Sequence, residues 1–327
     1  MKKIIFISII IVISGLTFFT FFGDNQLESK SLTMFVTDWA PYGFAYVAQE
    51  KGFFESNDLN VELILLDETQ SLISFPRGFT ADGSMEVLAD AITISSNNIP
   101  SQLVYVVDES GDADVIISKY SSIKELKGKT IGIWEFGGFS RLFAVSLLEQ
   151  NGLTAEDVTF VEIDPDEIVN QLNLGNIDAG HTFNQYNIQK AKDFGYSVIA
   201  TERDTPGLIV DGIMFKNSFI QKNPDSVLKF VKSFSEAQEY CKFKPDECAK
   251  IIAIAFDWKK SDVIIGLEDV DLLSFDDNVD LFLNPHSSLY ESGRFIINQL
   301  QKDGYISYPH DIETIINSEF INKLSTN

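Results

Sequence analysis

Residues Leu32–Leu66 read LTMFVTDWAPYGFAYVAQEKGFFESNDLNVELILL. Its two ends, Leu32–Val36 and Val61–Leu66, are short apolar runs of the kind that form buried strands. Between them, Phe44–Lys51 has the apolar spacing of an amphipathic helix, and Gly52 stands where such a helix ends. Strand, helix and strand in this order predict a βαβ unit with parallel strands.

The same alternation continues through most of the chain. The further predicted strands are Ala91–Ser95, Leu103–Val107, Ile116-Ile117, Thr130–Trp134, Val158–Ile163 and Ala179–Thr182. The further predicted helices are Gly83–Leu88, Ser140–Asn151, Asp166–Leu174, Asn223–Tyr240, Pro245–Phe256, Ser288–Lys302 and Asp311–Leu324. The pattern predicts an α/β fold, and 327 residues suggest two domains. Because no Pro-rich linker divides the chain, we expect it to cross between the domains twice.

The charge of the chain excludes several classes of function. Its 25 Lys+Arg against 48 Asp+Glu give a net charge of −23 at pH 7. Nucleic acids and anionic lipid surfaces both attract clustered Lys and Arg, so neither is an expected partner. Three His and two Cys leave few ligands for a metal cluster, and the sequence contains no P-loop. We therefore expect neither a metal nor a cofactor.

The N-terminus has the composition of an export signal. Met1-Lys2-Lys3 precedes an apolar run from Ile4 to Phe22, which matches a basic n-region and an apolar h-region. The run is about 19 residues long, just enough to span a bilayer. Residues 1–23 are thus either a cleaved signal peptide or a retained membrane anchor. The rest of the chain is expected in a periplasmic or other extracytoplasmic compartment.

Cys241 and Cys248 are the two cysteines of the chain. An exported protein meets an oxidising compartment, which permits them to pair. Pro245, between them, is expected to begin a new helix after one that ends near Tyr240, and such a corner can bring two sulfur atoms into bonding range. A local disulfide and two half-buried thiols both fit the pattern. A zinc site is not expected, because no His lies nearby in sequence.

A series of short segments in a fixed order indicates a family. They are Asp38–Tyr42 (DWAPY), Tyr46–Phe54 (YVAQEKGFF), Leu59–Leu63 (LNVEL), Asp108–Asp114 (DESGDAD), Leu126–Gly132 (LKGKTIG), Gly175–Gly180 (GNIDAG) and Pro224–Val227 (PDSV). Over residues 32–255 the chain resembles the solute-binding proteins of ABC importers for nitrate, sulfonates, taurine and thiamine precursors.

The resemblance implies a two-lobed periplasmic-binding-protein fold of type II, in which two mixed sheets flanked by helices are joined by two crossing strands. Lobe 1 is expected to comprise residues 31–116 plus 213–327, and lobe 2 residues 117–212. A small-molecule ligand would lie in the cleft between the lobes. The implied partners are an ABC permease and its ATPase, and the protein itself is expected to be a monomer without enzymatic activity.

Candidate ligand contacts follow from where ligands sit in open α/β sheets, at the carboxyl ends of strands and the amino ends of helices. After the first strand, Asp38 and Tyr42 offer polar contacts and Trp39 offers a flat ring, unless that ring belongs to the core. A second junction follows the predicted strand Ala91–Ile94, where small polar side chains suit either a ligand or an ordinary turn. Its candidate residues are Ser95, Ser96 and Asn97.

The third junction is a glycine-bearing loop that opens a helix. Backbone N–H groups are free at such a position and can bind an anion. The candidate residues here are Phe136, Gly137, Gly138, Phe139 and Ser140. In the family that the chain resembles, this loop contacts a sulfonate or carboxylate, although Glu135 departs from a good anion site. Arg141 can reach an anion or pair with a surface acid.

Three residues near the expected second crossing complete the candidate set. Thr182 and Asn184 follow the predicted strand that ends in the cleft, whereas neighbouring His181 fits a structural role as well as a binding one. Asp211 lies where the chain returns to lobe 1. A buried carboxylate there suits a cationic or amine-bearing ligand, because an unpaired buried charge is costly.

The leading functional hypothesis is an extracytoplasmic solute-binding component of an ABC importer. Two alternatives remain open, namely a membrane-anchored ligand sensor and an enzyme of thiamine-pyrimidine biosynthesis. Enzymes of that kind carry clustered cysteines and histidines, which this chain lacks. The resemblance favours nitrate, sulfonate, taurine or pyrimidine-type solutes. The residues themselves favour an aromatic or amine-bearing solute.

Overall fold

The structure is a computed structural model that describes residues 31–66, 79–96, 99–183, 185–306 and 311–326. Segment 1–23, and with it the choice between signal peptide and anchor, lies outside the described residues. So do Asn97 and Asn184, two of the candidate ligand contacts.

The strands of the described chain form two mixed sheets. They are β1 (Leu32–Val36), β2 (Val61–Leu65), β3 (Gly83–Val87), β4 (Ser101–Glu109), β5 (Val115–Ser118), β6 (Thr130–Ile133), β7 (Thr159–Glu162), β8 (Ala179–Thr182), β9 (Ser197–Thr201), β10 (Val210–Lys216) and β11 (Asp271–Leu272). The first sheet has the order β11-β4-β10-β3-β1-β2 and the second the order β7-β6-β8-β5-β9. In the first, β1 is parallel to β2 and β3, whereas β10 is antiparallel to β3 and β4. The predicted α/β fold with two mixed sheets is confirmed.

Helices flank both sheets. They are α1 (Phe44–Glu50), α2 (Phe53–Ser56), α3 (Leu88–Ser96), α4 (Phe139–Gln150), α5 (Ile168–Leu174), α6 (Gln185–Asp193), α7 (Asn217–Lys222), α8 (Pro224–Phe243), α9 (Pro245–Phe256), α10 (Lys260–Glu268), α11 (Phe275–Leu283), α12 (Ser288–Lys302), α13 (Ile312–Ile315) and α14 (Glu319–Ser325). Within the described ranges, none of them combines the length and the apolar composition needed to cross a bilayer.

The βαβ unit predicted from the opening stretch is confirmed. β1 and β2 pair in parallel, with Leu32 opposite Val61. Gly52 ends the helical turn with a φ of +73°, a left-handed conformation that glycine adopts without steric cost. The helix packs on α8 through the rings of Phe44 and Phe234, whose centroids lie 6.2 Å apart. Burial of each such ring contributes about 1.5–3 kcal/mol to folding.

Two neighbouring predictions are wrong. Gly83–Leu88, predicted as a helix, is mostly the strand β3, and Ala91–Ser95, predicted as a strand, lies inside helix α3. A Cβ added to Gly83 would lie 2.5 Å from the carbonyl oxygen of Met214, so glycine here permits close strand packing. The α3 helix is buried on nearly every side, and its sequence therefore lacks the period of a surface helix.

The predicted C-terminal helix Asp311–Leu324 is also wrong, because it is two short helices, α13 and α14. Between them Ile316 forms a parallel bridge with Leu103 of β4. The Asn317 N–H donates to the carbonyl of Leu103 at 2.9 Å. Pairing with the sheet thus interrupts a segment whose apolar spacing alone favours one helix.

The chain passes between the sheets twice, as expected. It leaves the first sheet between Glu109 and Val115 and returns between Thr201 and Val210, slightly before the proposed lobe boundaries at 116/117 and 212/213. The two crossing segments are hydrogen-bonded to each other, since the Ser110 N–H donates to the carbonyl of Ile209 at 3.1 Å. A pair of adjacent crossings is the arrangement about which two lobes can hinge.

The corner between α8 and α9 contains a disulfide. Cys241 and Cys248 are bonded, with their Cα atoms 5.7 Å apart. Pro245 begins α9, and so the corner lies where the sequence predicted it. Of the two alternatives left open by the sequence, the structure has the bonded pair.

Candidate functional site

Three carboxylates lie where neighbouring strands of the first sheet end. Glu86 and Asp108 lie near the carboxyl ends of β3 and β4, and Asp211 lies at the start of antiparallel β10. In the register of the sheet, Asp211 stands opposite both Asp108 and Val87, whereas Glu86 stands opposite Gly212 and its side chain points to the other face. We call Glu86, Asp108 and Asp211 the carboxylate cluster. Its position at the carboxyl ends of strands is where open α/β sheets bind ligands.

Two aromatic residues from the loop after β1 bind this cluster. The Tyr42 hydroxyl donates to Asp211 Oδ1, and Trp39 Nε1 donates to Asp108 Oδ2 at 3.2 Å. Both residues flank or lie in a 3-10 turn, Ala40–Gly43, in which Pro41 fixes the first turn. The structure thus brings together three residues that the sequence singled out, Trp39, Tyr42 and Asp211. Asp38 is partly exposed and takes no part in these contacts.

Two oxygens of the cluster have no hydrogen-bond partner. They are Asp108 Oδ1, on a residue with 0% exposure, and Glu86 Oε1. Among the described residues, no Lys or Arg forms an ion pair with any member of the cluster. A carboxylate oxygen can only accept hydrogen bonds, and leaving one buried and unbonded is costly. The cluster therefore favours a proton or a donor from outside the protein.

The pKa values of the cluster express the same preference. Burial, followed by the negative charges of Asp211 and Glu135, raises the pKa of Glu86 to about 8. Burial also raises the pKa of Asp211 to about 7, although the hydrogen bond from Tyr42 acts in the opposite direction. For Asp108, burial and then the charge of Asp211 raise the pKa well above its usual value. The negative forms of these groups are thus disfavoured when nothing positive is bound.

The start of α4, a helix beside the second sheet, is hydrogen-bonded to α3, a helix beside the first sheet. The Phe139 N–H donates to Asp90 Oδ1 at 3.0 Å, and Thr93 Oγ1 donates to the Gly137 carbonyl at 3.1 Å. The Gly138 N–H donates to the carbonyl of Glu135 at 3.4 Å. Our expectation of free N–H groups at this helix start is therefore wrong for Gly138 and Phe139. The acceptor that an anionic ligand would supply is already provided by Asp90.

Ser140 belongs to a buried network rather than to an open site. Its Oγ lies 2.9 Å from His181 Nδ1 and accepts a hydrogen bond from the Trp134 N–H. The other ring nitrogen of His181 lies 2.7 Å from Asp114 Oδ1. Ser110 Oγ donates to the second oxygen of Asp114 at 2.5 Å. The network ties the first crossing segment to β8 and α4, so the structural role of His181 is the one observed.

Aromatic rings line the approach between the sheets. Trp39, from the first sheet, meets Phe183, from the second, edge to face with 6.2 Å between ring centroids. The Phe183 ring also lies 5.9 Å from Trp134 and 6.1 Å from Phe139. Phe136 of the same loop is exposed and turns outward. The carboxylate cluster therefore has aromatic surface beside it, contributed by both halves of the molecule.

Other candidate residues have local partners. Ser96 Oγ donates to the carbonyl of Ile92 at 2.8 Å, and Ser95 Oγ accepts from the Ser101 N–H at 3.4 Å. Their expected place after a strand is wrong, because they end helix α3. Thr182 is fully buried and donates to the carbonyl of Pro165 at 3.1 Å, towards the start of α5.

Arg141 pairs with an acid rather than with a ligand. Its guanidinium binds Asp303, the residue that follows α12, and lies 5.4 Å from the ring centroids of Phe160 and Tyr305. Nearby, Lys302 binds Glu149 at 2.8 Å. These contacts join α4, on the second sheet, to α12, which packs on α3 of the first. The described structure therefore has the two halves closed on each other.

Sequence reasoning missed four acidic residues of this region. Glu86 and Asp90 lie on the two elements whose predicted types were exchanged. Asp108 and Asp114 lie in the DESGDAD segment, which indicated the family but carried no predicted contact. Asp108 directly follows the predicted strand Leu103–Val107, and this position could have identified it.

Comparison with known proteins identifies the family. The family model described as "NMT1/THI5 like" matches residues 39–248, well over half of the chain. The chain belongs to the NMT1/THI5-like family. Its similarity to a curated relative, the nitrate import ATP-binding protein NrtC of Synechocystis, is 27% identity over 247 residues, or 67% of this chain. The chain spans only 36% of the length of that relative.

Two further comparisons show the range of this NMT1/THI5-like family. A 4-amino-5-hydroxymethyl-2-methylpyrimidine phosphate synthase of Aspergillus parasiticus is 23% identical over 64% of this chain and 67% of its own. The crystal structure of the periplasmic aliphatic sulphonate binding protein SsuA from Escherichia coli aligns with a TM-score of 0.73. It is 14% identical, and the alignment covers 88% of this chain and 92% of that one. The periplasmic-binding-protein fold is thereby confirmed.

Proposed function

We propose that this NMT1/THI5-like protein is the extracytoplasmic solute-binding component of an ABC importer. It captures a small solute between its two sheets and delivers it to a permease and its ATPase. The observation that carries the proposal is the unbonded Asp108 Oδ1, fully buried where strands of the first sheet end and the second sheet closes over them. A buried polar group without a hydrogen-bond partner is costly, and a bound solute would supply the missing donor.

Capture would work by hinge closure. The crossing segments, bonded through Ser110 and Ile209, provide the hinge. Contacts between Asp90 and Phe139, and between Arg141 and Asp303, hold the closed form at the far side of the cleft. A solute that touches both halves adds to these contacts and shifts the population towards closure. The permease would then recognise the closed form.

A Ser–His–Asp arrangement is present but does not favour an enzyme. His181 bonds to Ser140 and to Asp114, and these contacts tie β8 to α4 and to the first crossing segment. The Ser140 oxygen already accepts the Trp134 N–H. Solute binding therefore accounts for the site better than catalysis does.

The proposal is tested by adding solutes to the purified exported protein. A panel of nitrate, taurine, alkylsulfonates, aminopyrimidines and organic amines is screened by thermal shift. A solute at 100 times its dissociation constant should add about 2.7 kcal/mol to the free energy of unfolding. Titration calorimetry should then give one site per chain. If no member of the panel binds and no solute co-purifies, the proposed function is wrong.

A further inference from the structure

The charge of the solute can be inferred from the groups around the cluster. Asp108 and Asp211 are directly opposite each other on neighbouring strands, an arrangement that destabilises a sheet when both are charged. Asp114 and Glu86 add further negative charge from the crossing segment and from β3. Asp90 and Glu135 face Glu86 from α3 and from the loop before α4. The charged groups that chiefly shift the pKa values of Asp108, Asp211 and Glu86 are thus acids, Glu109 among them, and the Tyr42 hydroxyl donates to Asp211.

An anionic solute would find no matching donor here. The backbone N–H of Phe139, which could have bound an oxyanion, donates to Asp90 at 3.0 Å. The Tyr42 hydroxyl and Trp39 Nε1 both donate to the cluster itself. Arg141 is held by Asp303 between two aromatic rings. An oxyanion would therefore meet carboxyl groups whose ionised forms repel it, and only their protonated forms could donate to it.

A cation with N–H groups satisfies both needs. An N–H group of the cation can donate to Asp108 Oδ1, a fully buried oxygen without a partner. Its positive charge compensates the acids, and charge-assisted bonds of this kind are about twice as strong as neutral ones. The rings of Trp39 and Phe183 beside the carboxylates favour a flat cation, through stacking and cation–π attraction.

We propose that the captured solute is a planar organic cation of the amidinium or aminopyridinium class, whose N–H groups donate to Asp108 while its plane lies against Trp39. This inference rests on the proposed function, since it names the solute class of the same site. Trp39 is fixed by its own bond to Asp108 at 3.2 Å. One side chain thus links the carboxylate that carries the charge contact to the ring that carries the stacking contact.

The test uses three compounds that share a phenyl ring and differ in charge, namely benzamidine, benzamide and benzenesulfonate. Each is titrated by calorimetry into the exported protein and into Asp108→Asn. The control is Asp280→Asn, which removes the same charge from an exposed position on α11. We expect benzamidine to bind at least tenfold more tightly than benzamide, and benzenesulfonate not to bind. Asp108→Asn should weaken benzamidine binding at least tenfold, whereas Asp280→Asn should leave it within twofold.

The outcomes separate the two proposals. Tighter binding of benzenesulfonate, or benzamidine binding that Asp108→Asn does not weaken, overturns the cationic inference and leaves solute capture standing. If none of the three compounds binds, native mass spectrometry of the exported protein identifies any co-purified solute. A cationic one supports the inference, and an anionic or neutral one overturns it. An absence of any bound solute overturns both proposals. Should Asp108→Asn fail to fold, Asp211→Asn, which removes the charge directly opposite Asp108, serves as the second variant and should also weaken benzamidine binding.

Discussion

Asp211→Asn should make the solute-free protein more stable at neutral pH. The carboxyl of Asp211 is 3% exposed, and burial raises its pKa from 3.8 to about 7 in the folded state. An asparagine side chain has nearly the same shape and keeps an oxygen that can accept the Tyr42 hydroxyl. The substitution therefore removes a disfavoured charge without removing the hydrogen bond.

The sign and size of the effect follow from proton linkage. Below about pH 4 the carboxyl is protonated in both the folded and the unfolded state, so its ionisation does not lower the free energy of unfolding there. As the pH rises towards 7, the unfolded chain releases the proton while the folded protein keeps it, so wild-type stability falls. Each pH unit in this window is worth about 1.36 kcal/mol. Between pH 5 and pH 7, the free energy of unfolding of the wild type should therefore fall by about 2 to 3 kcal/mol through ionisation of Asp211. The variant lacks this carboxyl and should not show that loss.

The assay is urea unfolding of the solute-free protein at pH 5, 6, 7 and 8, followed by far-ultraviolet circular dichroism. The difference in unfolding free energy between Asp211→Asn and wild type should grow by about 2 to 3 kcal/mol from pH 5 to pH 7. Asp280→Asn, on the surface, should track the wild type. Glu86→Gln should behave like Asp211→Asn, because burial raises the pKa of Glu86 to about 8. Parallel curves for wild type and both cluster variants would refute the reasoning.

Four further outcomes are expected. Trp39→Ala should weaken solute binding by about 1–3 kcal/mol in calorimetry, while Phe243→Ala, at a position 80% exposed, should not; equal affinities would place Trp39 in the core. Intact-mass measurement of non-reduced protein after alkylation should show no label on Cys241 or Cys248, and two labels would contradict the disulfide. Removal of the disulfide should cost less than about 3 kcal/mol, because its loop is short. Arg141→Ala should open the protein, because it removes the ion pair with Asp303. X-ray scattering should then show a larger radius of gyration, and calorimetry weaker solute binding. An unchanged radius would show that this ion pair does not hold the closed form.

The βαβ unit was predictable because local signals agree there. The apolar runs, the helical spacing and Gly52 all indicate the same structure, and no distant contact overrides them. The exchange of types at β3 and α3 had the opposite cause. Gly83 in β3 is explained by its close approach to Met214, which lies far away in sequence, and α3 is buried from Leu88 to Ile94, its polar Asp90 and Thr93 included. Local patterns carry no record of those contacts.

The site was predictable only in part for the same reason. Trp39 and Tyr42 follow a strand that the sequence placed correctly, whereas Asp211 was singled out from the expected return of the chain to lobe 1 and not from a predicted strand. Glu86 stands on a strand that was predicted as a helix, and its place opposite Gly212 depends on antiparallel pairing of β3 with β10. Sequence order alone does not contain that pairing.

The anion site expected at the start of α4 failed for a physical reason as well. A glycine-bearing loop before a helix leaves N–H groups free unless another part of the chain supplies an acceptor. Here Asp90 supplies it, from a helix about fifty residues earlier in the chain. The same loop sequence fits a helix start with free N–H groups and one whose N–H groups are already bonded. The tertiary contact with Asp90 determines which of the two forms.

Native mass spectrometry of the purified protein tests whether a solute is captured at the carboxylate cluster. The wild type and Asp280→Asn should each carry one small molecule per chain, and the double variant Asp108→Asn/Asp211→Asn should be folded but empty. That result would show that a solute is captured at the carboxylate cluster. An empty wild type that stays empty in the presence of benzamidine, or a solute that the double variant retains in full, would contradict the claim.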